Sequence, residues 1–145
     1  MTDKRQIIPI AGLVATMAAT VYMVVQLHGQ TRLSGDFSNA AVAEVQDAQG
    51  QTVLRGQFAV DDEQDDDDME REARLTAAGS DSDAHGEAEI EVARDGGAQE
   101  IEFSVSNLAP GTQLTFLIDG QAVGQATADR SGRAKIRATS GRGVR

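Results

Sequence analysis

The sequence predicts an all-β fold, a small antiparallel β-sandwich of seven or eight strands, preceded by one N-terminal transmembrane helix. Three observations carry this. Apolar and polar residues alternate with period two in most segments after residue 40, the spacing of a sheet with one buried face. Turn residues punctuate those segments at intervals of about 8 to 12 residues, as in sandwiches and barrels. Ahead of them lies an apolar stretch without a single charge.

That stretch, Ile7 to Leu27 (IIPIAGLVATMAATVYMVVQL), has the length of a bilayer-spanning helix, which takes about 20 residues. Its nine Ile, Leu and Val residues favour insertion by about 3 to 5 kcal/mol before Pro9, Gly12, Thr16 and Thr20 subtract from that. Lys4 and Arg5 precede the run, so the positive-inside tendency keeps the N-terminus cytoplasmic and sends the remainder across the membrane. A cleaved signal peptide is the rival reading, with Ile7 to Val14 as its apolar core and Ala15, Ala18 and Ala19 around the cleavage site. The run continues through Val21 to Val25 with no small-x-small site after it, which favours the anchor. Gly12, Thr16 and Thr20 share one helix face, where small residues allow another helix to approach closely.

Residues 29–39 read as a linker, and the β domain is expected over 40–138. Ala41 to Val45 and Thr52 to Val60 flank Asp47-Ala48-Gln49-Gly50 as a hairpin. In Arg71 to Ala77, Ala73 and Leu75 face inward. In Gly86 to Arg94, Ala88, Ile90 and Val92 alternate with Glu87, Glu89 and Glu91, a pattern for one wet face. Glu100 to Leu108 turns Ile101, Phe103 and Val105 inward and ends at Pro110-Gly111, which suits a tight turn. Thr112 to Ile118 buries Leu114, Phe116 and Ile118, then Asp119-Gly120 turns the chain into Gln121 to Ala128. A last turn, Asp129 to Gly132, leads into Arg133 to Ala138. Residues 139–145 form a basic C-terminal tail, expected to be mobile unless bound.

Charge is unevenly placed in this 145-residue chain of net charge −10. The loop 61–70 and the residues beside it are crowded with Asp and Glu, which self-repulsion keeps solvated. From Arg130 onward the balance reverses. Arg130, Arg133, Lys135, Arg137, Arg142 and Arg145 have no carboxylate among them and form a candidate partner-binding set. Asp65, Asp66, Asp67 and Asp68 are candidate Ca²⁺ ligands, since hard cations take several carboxylate oxygens. Asp81 and Asp83 open a segment resembling the start of an EF-hand loop, with Gly86 at its sixth position. The match ends there: Val92 stands where the closing Glu belongs, and the flanks read as strands.

Catalysis is not expected. The chain has no Cys and only His28 and His85, too few for a zinc set and neither in the setting of a hydrolytic triad. The strand glutamates line a solvent face, and none is placed inside as a general acid would be. No phosphate-cradling loop is present, and no cofactor is implied. Nucleic acid is not an expected partner either, because the body is acidic and no aromatics accompany its basic end.

The stretch FSVSNLAPGTQLTFLIDGQAVGQATADRSGRAKI, Phe103 to Ile136, resembles hairpins of bacterial exported β-sandwich domains in its NL-PG, IDG and AD-SG-A turns. CHRD-like exported domains share this look, although the His positions of a metal-linked member are missing. The resemblance covers about a quarter of the chain and implies a fold rather than a chemistry. The sequence therefore leads to a single-pass protein of a bacterial inner membrane, its β domain periplasmic or extracellular. As partners it implies the lipid bilayer and other membrane protein subunits, which the module braces as a non-catalytic accessory subunit of, for example, a photosynthetic, respiratory or transport assembly. The alternative is a membrane-anchored adhesion or Ca²⁺-binding module.

Overall fold

The computed structural model describes residues 31–33, 35–59, 68–79 and 82–141. Among the described residues nine strands follow one another: β1 (Thr31–Arg32), β2 (Val42–Gln46), β3 (Thr52–Gln57), β4 (Met69–Ala77), β5 (His85–Val92), β6 (Ala98–Ser106), β7 (Gln113–Ile118), β8 (Gln121–Thr127) and β9 (Ala134–Gly141). They form one sheet in the order β1-β9-β6-β5-β4-β3-β2-β7-β8, antiparallel throughout except for the two-residue β1, which runs parallel to β9. Each of the eight strands expected from the alternation is present within a few residues of its expected bounds. They are joined in one continuous ladder that curls nearly into a barrel, where the sequence reading had a sandwich.

The curl follows from where glycine sits. A Cβ on Gly56 would lie 2.2 Å from the Arg74 carbonyl oxygen, and one on Gly86 would lie 2.5 Å from that of Ser104. β3 thus approaches β4 closely, and β5 approaches β6, and only glycine permits that bend. The two halves of the sheet then face each other across one core. Phe103 on β6 touches Phe116 on β7 with ring centroids 5.1 Å apart. The last strand pair, β8 and β9, lie against each other without a ladder between them. There the missing side chain of Gly124 makes room for Ile136, whose Cδ1 would stand 2.6 Å from a Cβ at that position.

The alternation is borne out strand by strand. Ala73, Leu75, Ala88, Ile90, Val92, Ile101, Phe103, Val105, Leu114, Phe116 and Ile118 are all buried, while Glu87, Glu89 and Glu91 are exposed. Turns close as their chemistry requires. Thr112 N donates to the Ala109 carbonyl around Pro110-Gly111. Asp129 accepts from Ser131 N at 2.8 Å, Ser131 Oγ at 2.7 Å and Arg133 N at 3.1 Å. Those bonds hold its carboxyl below the usual carboxylate range.

Three sequence boundaries shift. Within residues 29–39, read as a linker, β1 pairs with β9 and Phe37 is buried at one end of the roll, its N–H held by Gln99 Oε1 at 2.7 Å. The acidic loop 61–70 gives up Met69 and Glu70 to β4, and the tail 139–145 gives up Thr139 to Gly141 to β9, because β5 and β6 supply ladder partners for them. Among the described residues no helix is long and apolar enough to cross a membrane. The run Ile7 to Leu27, with Gly12, Thr16 and Thr20, lies outside the described residues.

Candidate functional site: a glutamate face

The period-two pattern that buries Ala73, Ala88 and Phe103 sends the intervening residues of β4, β5 and β6 outward. Register then decides which of them meet. Glu72, Glu89 and Glu102 stand directly opposite one another across three strands, and Glu70, Glu91 and Glu100 do the same one step along. Glu87 continues the β5 column between Arg74 and Ser104. Neighbouring strands lie about 4.8 Å apart, so the six aligned carboxylates occupy a patch about 10 Å wide.

Like charges directly opposite on a sheet oppose folding. The consequence is visible at the centre. Partial desolvation, followed by the charges of Glu70, Glu102, Glu91 and Glu72, raises the Glu89 carboxyl above the usual carboxylate range. Among the described residues, the ion pairs that relieve it come from β9. Lys135 Nζ lies 2.7 Å from Glu102 Oε1, and Arg137 Nη2 lies 2.7 Å from Glu100. Both ion pairs sit at the rim of the patch and are solvent-exposed, so each contributes little to stability.

Of the candidate partner-binding bases, Lys135 and Arg137 are thus committed to glutamates of the adjacent strand. Arg130 and Arg133 are exposed in the β8–β9 turn, and Arg142 and Arg145 lie outside the described residues. The two described Ca²⁺ candidates lie apart. Asp68 sits at the start of β4 and Asp83 just before β5, which pairs with the far end of β4. Asp65, Asp66, Asp67 and Asp81 lie outside the described residues. Among the described residues, no three His, Cys, Asp or Glu side chains are arranged to hold a metal ion. His85 is exposed, and its Nδ1 lies 3.0 Å from the Asp83 carbonyl oxygen.

Sequence reading saw the glutamates of β5 and β6 as a solvent face but not their alignment. The signal was available in Asp95-Gly96, a hairpin turn between the two strands. A turn there pairs Glu91 with Glu100 and Glu89 with Glu102.

Comparison of the chain with known protein families, with characterised proteins and with solved structures gave no match in any of the three. The likeness of Phe103 to Ile136 to exported domains rests on its turn motifs alone.

Proposed function

We propose that the chain is a non-catalytic, single-span accessory subunit of a membrane protein complex, with its N-terminus cytoplasmic and its rolled sheet bracing extracytoplasmic partners. In this reading the glutamate face is the docking surface, and the partner presents a basic one. The observation that carries it is the row Glu72–Glu89–Glu102. Three aligned like charges weaken the isolated fold, and a surface rich in Arg or Lys converts that repulsion into attraction. The uncharged run Ile7 to Leu27 supports the anchor, and the inner membrane of a bacterium is the location that fits an exported β domain on such an anchor.

Gentle detergent extraction followed by native size measurement tests the proposal. It expects a complex much larger than 15.3 kDa that dissociates as salt is raised. A lone monomer at low salt contradicts it.

The alternative, a membrane-anchored adhesion or Ca²⁺-binding module, draws on the acidic segment leading into β4 at Asp68. It expects a large rise in melting temperature with millimolar Ca²⁺, through mass action on the folded state. Absence of any shift removes it.

A further inference from the structure

The place where the chain joins the sheet says which side of the roll faces the bilayer. β1 does not cap an end of the fold. It lies along the outer edge of β9, with Thr31 beside Ala138 and Arg32 beside Thr139, at the seam where β8 and β9 are not hydrogen-bonded. Only residues 28–30 separate Thr31 from Leu27, the last residue of the apolar run. Four Cα steps span at most about 14 Å. Eight tilted strands spaced about 4.8 Å apart make a roll whose backbone is about 15 Å across. A tether that short, fixed at the seam, keeps the seam side near the membrane surface and holds the far side, β3 and β4, away from it.

Charge is sorted in the same sense. The strand at the seam, β9, turns Lys135 and Arg137 outward, and the turn leading into it exposes Arg130 and Arg133. The outward face of β8 beside it carries Gln121, Gln125 and Thr127, with no charge. The glutamates are on β4, β5 and β6, further round the roll. Among the described residues, no carboxylate follows Asp129.

We infer that the β8–β9 flank, with Arg130 and Arg133 at its turn, is a membrane-apposed surface that rests on anionic lipid headgroups and turns the glutamate face away from the bilayer. The inference rests on the anchored reading of Ile7 to Leu27. Basic residues near an anionic surface each contribute about 1 kcal/mol of attraction, and carboxylates are repelled from it. The two effects act in the same sense and add to the constraint of the tether.

Because the chain has no Cys, a single introduced Cys is a unique label site. Full-length Gln125→Cys on β8 and Thr76→Cys on β4 would each carry an environment-sensitive fluorophore and be reconstituted into phosphatidylcholine vesicles with about 30 % phosphatidylglycerol. Quenching by a headgroup spin-labelled lipid is then measured. The expected result is several-fold stronger quenching at position 125 than at position 76. That difference should shrink in pure phosphatidylcholine, at about 0.5 M salt, and in the Arg130→Glu/Arg133→Glu variant. Equal quenching at the two positions overturns the inference, as does a difference indifferent to lipid charge. Quenching at position 125 that grows with protein density and not with the spin-labelled lipid overturns it in favour of self-association. Vesicle flotation separates the two claims: a chain that does not float with vesicles sinks the anchored reading itself, whereas one that floats and quenches equally sinks only the orientation.

Discussion

Phe103 on β6 and Phe116 on β7 meet with ring centroids 5.1 Å apart and planes tilted by 55°, although four strands separate β6 from β7 in the sheet. Only the curl brings them together. Phe103 pairs in register with Ile136, Phe116 pairs with Gly124, and Ile136 packs over Gly124 across the seam. These four residues form a ring of contacts that closes the roll where hydrogen bonds do not. Phe103→Ala or Phe116→Ala should each cost about 3–5 kcal/mol, a large part of a small domain's stability. A double-mutant cycle between them, run with the milder Leu substitutions by denaturant unfolding, should return a coupling of about 0.5–1.5 kcal/mol. Additive losses would mean that the tilted contact is incidental.

Glu89 gives a stability effect of the opposite sign. Its carboxyl is raised above 4.5 in the folded chain, so the proton is held more tightly there than in the unfolded chain. The resulting penalty is complete above the folded value and absent below about 4.5, so this group's contribution improves as pH falls through that window. Glu89→Gln should therefore stabilise the isolated protein at pH 7 by about 0.2–1 kcal/mol, and the gain should vanish in acid. Thermal melts of the two proteins at both pH values decide it.

Asp119 ties the β7–β8 turn to the start of β2. Its Oδ1 accepts from Ala41 N at 3.0 Å and Val42 N at 2.9 Å, and its own φ is 48°. Asp119→Ala removes the acceptor and places a residue poorly suited to that backbone, at a cost of about 1–2 kcal/mol. Asp119→Asn keeps an acceptor oxygen and tolerates the conformation, so denaturant midpoints should rank it between the wild type and the Ala variant.

Gly56→Ala should destabilise by about 1–3 kcal/mol, because the added Cβ meets the Arg74 carbonyl at 2.2 Å and backbone must move. Loss of hydrogen-exchange protection should concentrate at the β3–β4 pairing. Protection retained there would mean that the curl does not depend on this close approach.

How much of this was legible depended on how local the signal was. Each expected strand announced itself through side chains two residues apart, and Pro110-Gly111, Asp119-Gly120 and Asp129 to Gly132 marked the reversals. Phe37 was not legible, because a lone aromatic between Asp36 and Ser38 has no periodicity to reveal the end of the roll it fills. The joining of the strands into one curled sheet was hidden too, since it depends on Gly56 meeting Arg74 and Gly124 meeting Ile136. The glutamate face lay between these cases. Its alternation was plain, but its alignment needed the register that the Asp95-Gly96 turn sets.

If the aligned glutamates serve binding at the expense of the free fold, the triple variant Glu72→Gln/Glu89→Gln/Glu102→Gln should change both. Its native size after gentle extraction is compared with that of the wild type, alongside the melting temperatures of the two purified proteins. The variant should melt higher yet elute as a small free species, while the wild type elutes in a large complex. A variant that melts higher and stays in the complex would contradict it.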